Sequence, residues 1–459
     1  MRVATLQQPR KEATGSCHEP GVVRQTAPAD VEPIAPQTQT LMEEVLRREN
    51  LWTAFKRVQA NKGAPGVDGM TVEDLPASLR TEWPAIREQL LHATSVPAPV
   101  RAVYLPKPGG GTRMLGIPTV LDRLIAQAIL QVLGPLFDPD FSDHSYGFRP
   151  GRRAHPALEQ ACRDMAAGSR WVVHSDLETF FDSVNQDMVM SRVARKIKDK
   201  RLLKIIRRSL HAGIMQEGVG SQRDAGMPQG SPLSPLLSNI LVDEFDTELE
   251  RRSHRCCRYA DDANVYVRSK RAGLRAMASL TRFLAGRLRL KGNRAKSVGD
   301  RPWNGTFLGY TVTNTLQPRV TPAPKSVKRA KDRVRQITHR GRGWNIRVVI
   351  EEINRFTRGW VGSCRLSKVQ QQFDTLDQWI RRRLRTILWE QWRQPKTRCR
   401  QLLARGREAE RARKATATGL GAWWNAGASH MHAAVNHRVL AAWGLRSLLD
   451  QLRAMQRST

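Results

Sequence analysis

The chain is poor in acidic residues for its length. Its 459 residues hold 42 Asp and Glu against 76 Lys and Arg, a net charge of +34. That imbalance excludes the ordinary profile of an enzyme for small neutral metabolites. It points to a polyanion, because clustered cations release counterions when phosphates bind. Paired cysteines are also lacking. Cys17, Cys162, Cys256, Cys257, Cys364 and Cys399 are scattered without a CxxC pair, so neither a disulfide framework nor a zinc site is expected, and a reducing cytoplasmic setting is. No apolar run near 18 residues stands out, which argues against a membrane span, and an apolar signal core is missing from the N-terminus. What the chain does have is 40% hydrophobic residues, enough for a core, and a length that calls for two or three packed units.

Residues 1–40 are rich in Pro, Gln, Thr and Ala without apolar period and read as a mobile leader. Leu41, Val45, Leu51, Phe55 and Val58 recur at helical spacing, and a Gly/Pro-broken loop follows over 61–69. Residues 100–118 alternate, turn at a Gly-rich stretch and return as a hairpin, with a helix predicted over 121–136. A short strand over 171–175 runs into Asp176, and a long helix is expected over about 188–213. A Gly/Pro turn over 226–231 precedes another helix, and two strands flank Asp261-Asp262. Helices mixed with a few antiparallel strands suggest an α+β core to about residue 320. From Ser326 onward the pattern is helical, with 29 Lys and Arg against 9 Asp and Glu and eight of the twelve tryptophans. Arg interleaved with large aromatics suits RNA, whose phosphates pair and whose unpaired bases stack. The plainer reading is a basic bundle with Trp as filler, and Trp379, Trp389 and Trp423 are expected in its core.

Three carboxylates carry the chemistry. Asp176 ends a strand, and Asp261 and Asp262 lie at a strand–turn–strand. Adjacent Asp residues repel, and a divalent cation relieves that repulsion. Mg²⁺ favours hard oxygen ligands, and two such ions promote in-line phosphoryl transfer without a side-chain nucleophile. An Asp-Asp turn alone is more often a solvated loop.

In context, Tyr259-Ala260-Asp261-Asp262 resembles the YxDD box of reverse transcriptases, in the form usual for group II intron proteins. The likeness runs in order through the loop over 61–69, the hairpin over 101–118 with Asp122-Arg123 after it, Ser145–Pro150, Asp176–Asp182, Gly226–Pro235, Leu290–Ser297 and Phe307–Tyr310. It implies a right-hand polymerase with fingers, a palm on a small antiparallel sheet and a helical thumb, plus a basic helical C-terminal region. Fingers and palm would span 41–320, the thumb and maturase region 321–400, and an RNA- and DNA-binding extension 401–459. The resemblance assigns two Mg²⁺ (or Mn²⁺) to Asp176, Asp261, Asp262 and the Leu177 carbonyl. It assigns the incoming dNTP to Lys107, Arg113, Gln229 and Lys296, with Phe181 stacked under the sugar to exclude a 2′-hydroxyl. Implied partners are a structured intron RNA, an RNA template with DNA primer, dNTPs and target DNA.

Each residue also has a structural reading. Phe181 fits a core, Lys107 and Arg113 a solvated hairpin, and Gln229 a helix cap. His430, His432 and His437 lack partner cysteines and are expected to be structural, so the HNH-type nuclease of many relatives is not expected. Two rival functions remain: an RNA chaperone with a vestigial polymerase site, and a reverse transcriptase recruited to defence or repair.

Overall fold

The computed structural model describes residues 40–106, 110–176, 180–216, 218–221, 225–290, 299–339 and 343–458, with the side chains of Asp176 and Phe180 outside the description. Lys107, Leu177, Lys296 and the leader fall outside the described residues.

The described strands are β1 (Val100–Pro106), β2 (Thr112–Ile117), β3 (Trp171–Asp176), β4 (Ile214–Gln216), β5 (Val219–Ser221), β6 (Arg255–Tyr259), β7 (Asp262–Val267), β8 (Gly299–Asp300), β9 (Tyr310–Val312) and β10 (Val320–Pro322). They form sheets ordered β2-β1-β4-β5, β6-β7-β3-β8 and β10-β9, joined by helices, so the described fold mixes helix and sheet. Within the second sheet the pairing is antiparallel throughout. Successive side chains of a strand face opposite ways. Val173, Val265 and Val267 therefore enter one apolar cluster, while Val172, Cys257 and Tyr266 enter another with Leu158 and Ala161. A third cluster, from Ala330 to Leu452, is built by the C-terminal helices.

The hairpin over 100–118 is present, with Arg101 opposite Ile117 and Pro106 opposite Thr112. Its outer edge is extended by β4, which runs parallel to β1, and by β5. That small β4–β5 hairpin was not expected. The long helix foreseen over 188–213 is instead two, Gln186–Lys196 and Lys200–His211. Asp199 causes the break: its carboxylate caps the second helix by accepting from the Arg201 and Leu202 amides, and also accepts from Met42 N at 3.0 Å. The Leu75–Leu91 helix, which carries Pro84, was likewise unforeseen.

The Val120–Phe137 helix corrects another expectation. By length and composition the stretch Val120–Asp140 that contains it is apolar enough to cross a membrane, where no such run was expected. Ten of its residues are buried, and Leu124, Ile129 and Leu133 belong to the large apolar cluster, so core packing accounts for its apolarity. Its start is capped reciprocally: Thr119 Oγ1 donates to Asp122 Oδ2 at 2.7 Å and accepts from Asp122 N at 3.1 Å.

The helix behind the second sheet, Ser234–Arg251, holds eleven buried residues, among them Asp246. Asp243, three residues earlier, is pushed up to about 6 by burial and by the charge of Asp246. A raised carboxyl favours the protonated form in the folded state. Its stabilising effect is complete below about pH 4 and is lost as pH rises through about 6. Asp243→Asn is therefore expected to melt about 2–4 °C higher than the parent chain at pH 7, with the difference vanishing near pH 4. Equal melting temperatures at pH 7 would refute this account of Asp243.

Candidate functional site

The centre of the site is the β6–β7 hairpin. Tyr259 pairs with Asp262, and Ala260 and Asp261 make the turn between them. Ala260 takes a φ of +59°, so the turn is left-handed at a non-glycine residue and must be held by its surroundings. Ala260 is thus part of the turn, and Asp262 begins the second strand rather than sharing the turn with Asp261.

Buried Arg258 does the holding. Its Nε donates to Asp246 Oδ1 at 2.9 Å and its Nη2 to Asp246 Oδ2 at 2.6 Å. Nη1 donates to the Ala260 carbonyl at 2.8 Å and to Asn239 Oδ1 at 3.0 Å, and Nη2 to Ser145 Oγ at 2.5 Å. Arg258 and Asp246 are each 2% exposed. Asn239 in turn donates to the Gly147 carbonyl at 3.0 Å. Gly147 lies so close to the turn that a Cβ there would sit 2.2 Å from Ala260 N. The Ser145–Gly147 segment, the Ser234–Arg251 helix and the hairpin are therefore locked into one piece.

On the neighbouring strand, position 176 is opposite Asp262 in register, and His174 is opposite Asn264. Strand parity places position 176 on the same sheet face as Asp262. Asp261 and Asp262 are both partly exposed. His174 Nδ1 is 2.8 Å from Asn264 Oδ1, and its Nε2 is 3.8 Å from Asp262 Oδ1. A cavity of about 420 Å³ opens on this face, lined by His174, Asn264 and Asp300 among others. The donor set suits a divalent ion: Asp261 and Asp262 offer hard oxygens at an accessible turn, with a third Asp in register beside them. Among the described residues no group of three His, Cys, Asp or Glu side chains converges on one point, and the Asp176 side chain is outside that description.

A second cavity, about 550 Å³, brings together Arg113, Phe181 and Gln229, three residues singled out in the sequence. Gln229 is held from both sides. Its Oε1 accepts from Arg113 Nε at 2.8 Å, and its Nε2 donates to Asp182 Oδ1 at 3.2 Å. The backbone is clamped as well. Gly116 N donates to the Gln229 carbonyl at 3.1 Å, and a Cβ on Gly230 would meet the Gly116 carbonyl at 2.4 Å. On the other side, Met227 N donates to the Phe181 carbonyl at 2.6 Å and Gly226 N to that of Val184 at 2.7 Å. Phe181 is partly buried at the edge of the large apolar cluster while lining this cavity.

No site role was expected for Arg57, nor for Arg123 although it falls within the fingers resemblance, and both line the same cavity. Arg123 Nη2 donates to the Ala64 carbonyl at 2.7 Å, pinning the 61–69 loop over the helix start. Burial holds its guanidinium below the usual range and pushes the nearby Asp122 carboxyl up. For Arg123 a signal was available, since it is a cation inside a strongly apolar helix pattern.

In the C-terminal unit Trp389 is buried and Trp379 partly so, as expected, but Trp423 is 40% exposed, which corrects its core reading. Arg382 lies over that ring, Cζ 4.2 Å from its centroid, and donates to the Trp423 carbonyl at 3.0 Å. Arg398 covers Trp389 and Arg405 covers Trp392 in the same way. His430 packs on the Trp389 ring, 5.3 Å between centroids, and burial lowers its basicity.

A family profile for reverse transcriptase (RNA-dependent DNA polymerase) matches residues 105–312, and one for the group II intron maturase-specific domain matches 327–406. Protein YkfC of Escherichia coli is 33% identical over 315 residues, covering 60% of this chain and 83% of its own length. The group II intron-encoded protein LtrA of Lactococcus lactis is 34% identical over 207 residues, 45% of this chain and 34% of its own length, so the match spans about a third of that relative. Among solved structures, a partial Cas6-RT-Cas1–Cas2 complex aligns at 24% identity, covering 54% of this chain and 43% of that one, with a TM-score of 0.36.

Removing one partner of a buried ion pair strands the other charge. Arg258→Met is therefore expected to lower stability by about 3–5 kcal/mol, read from urea unfolding. Adding Asp246→Leu should restore most of the loss. A single variant as stable as the parent chain would show that the pair does not hold the hairpin.

Proposed function

Because the chain belongs to the family of group II intron-encoded reverse transcriptases, which are RNA-directed DNA polymerases, we propose that it extends a DNA primer on an RNA template with dNTPs. We further propose that it binds its own structured intron RNA to assist splicing and mobility into target DNA. The observation that carries the first reading is the register of β3 against β7, which sets position 176 beside Asp262 with Asp261 at the adjoining turn.

In this reading the β6-β7-β3-β8 sheet is the palm, the β1–β2 hairpin belongs to the fingers, and the helices from Pro324 onward form the thumb and RNA-binding region. The boundaries fall near 320 and 400. Asp176, Asp261, Asp262 and the Leu177 carbonyl would hold two Mg²⁺, or Mn²⁺ in their place. When bound, such ions lower the pKa of the attacking 3′-hydroxyl and neutralise charge on the departing pyrophosphate.

The remaining work belongs to the chain's own side chains. Gln229, fixed between Arg113 and Asp182, presents a rigid amide edge to the incoming nucleotide. Arg113 adds a cation for the triphosphate, with Lys107 and Lys296 assigned to the same task. Phe181, on the wall of the same cavity, is assigned to stack beneath the sugar and crowd a 2′-hydroxyl. The surplus cations after residue 326 grip RNA phosphates, while several of the tryptophans there are already covered by arginines of the same chain.

Two variants test the assignment. Asp262→Asn is expected to abolish dNTP incorporation on an RNA template while binding RNA as the parent chain does; full activity in that variant would sink the polymerase site. Phe181→Ala is expected to raise ribonucleotide incorporation relative to deoxyribonucleotide by about tenfold. An unchanged ratio in primer-extension assays would remove Phe181 from that role.

A further inference from the structure

Resting on the polymerase reading above, a further subsite lies beside the turn. Phe148 has a φ of +61° and is 46% exposed. A bulky aromatic residue rarely adopts the left-handed region, and it stays there only where its neighbours impose it. The neighbours are identifiable. Gly147 is pressed against Ala260 and bonded through its carbonyl to Asn239. On the other side, Arg149 is anchored by Nε to Asp138 Oδ1 at 2.8 Å, by Nη1 to the Ser142 carbonyl at 2.6 Å and by Nη2 to the Asp138 carbonyl at 2.7 Å. The residues on both sides of Phe148 are thus fixed, yet its own ring enters none of the apolar clusters among the described residues. A frame this rigid that presents an exposed ring is organised for a ligand rather than for the core.

The ring stands at the junction of two cavities. One is the 550 Å³ cavity of Arg113, Phe181 and Gln229; the other, about 770 Å³, runs on past Asn50 and Thr53 to Tyr259. Arg57 lines both, is exposed, and makes no ion pair among the described residues. Two carboxylates line the outer cavity: Asp138 is neutralised by Arg149, and Glu49, about two turns before Arg57 on the same helix, makes no ion pair among the described residues. An aromatic face beside an exposed guanidinium without an ion pair is the pairing that takes a single unstacked nucleotide, base on ring and phosphate on guanidinium. We propose that Phe148 is the platform for the first unpaired template base ahead of the one being copied, with Arg57 holding that nucleotide's phosphate. Phe148 would be a positioning residue for the template strand and would not touch the reacting atoms.

The test uses the full chain and two ligands: a DNA primer on an RNA template that ends flush, and the same duplex with a three-nucleotide 5′ template overhang. Binding is followed by fluorescence anisotropy at one fixed salt concentration. The parent chain is expected to prefer the overhang by about tenfold. Phe148→Ala and Phe148→Gly should lose that preference and keep the flush-end affinity, while Phe148→Trp should retain it. Phe148→Gly also removes the left-handed strain, so its melting temperature should not fall, which separates lost stacking from lost folding. An overhang preference that survives in the Ala and Gly variants, or an equal loss on both ligands, overturns the proposal. Primer extension by the parent chain on the same template separates the two readings. If extension fails, the polymerase reading falls and takes this subsite with it; if extension proceeds while residue 148 is without effect, only the subsite falls.

Discussion

An arginine and an aspartate, Arg258 and Asp246, are buried together where neither could stand alone. The cost of stripping both charges of water is offset only because nearly every donor on the guanidinium finds a partner. Those partners are widely spread along the chain: a serine at 145, an amide at 239, a carboxylate at 246 and the carbonyl of residue 260. The last bond matters most. It fixes the peptide immediately before Asp261, so the direction in which the two adjacent carboxylates leave the hairpin is set by a side chain that itself takes no part in binding. The strained φ at Ala260 and the glycine required at 147 are consequences of the same lock.

The cavity of Arg113, Phe181 and Gln229 follows a different logic. Its residues come from β2, from the segment after β3 and from the turn before the Ser234–Arg251 helix, and backbone bonds rather than a buried charge hold them together. Gln229 is the shared element: its side chain bridges Arg113 and Asp182, and its carbonyl is tied to Gly116. Because that bridge is partly exposed, each bond is modest in energy, and the precision comes from their number.

Much of this was legible in the sequence, for physical reasons. Strands β3, β6 and β7 show as short apolar runs because each is buried on both faces by different clusters, and the hairpin over 100–118 is announced by its Gly-rich turn. The proximity of Arg113, Phe181 and Gln229 came through the ordered resemblance, not through local pattern. What escaped was tertiary. Asp199 splits one amphipathic run into two helices by capping, and it also ties down Met42, a contact across more than 150 residues that no window could show. The burial of Arg258 depends on Ser145, Asn239 and Asp246, which lie outside its own strand. Trp423 read as core because large aromatics usually are, yet an arginine covers it instead. The apolar Val120–Phe137 helix was understated because Asp122 and Arg123 interrupt its opening turn.

The sheet order carries a consequence for how the chain is made. β3 lies between β7 and β8, so the strand that ends at Asp176 has no neighbour in its sheet until residues 262–267 have been synthesised. Pairings so distant in sequence are slow to close and leave a naked strand edge in the meantime. The C-terminal helices enclose an apolar cluster of their own and emerge from the ribosome after β8. Vectorial synthesis therefore offers the carboxylate centre a chance to assemble before the most basic third of the chain exists, and so before that third can draw a nascent, half-paired sheet onto RNA.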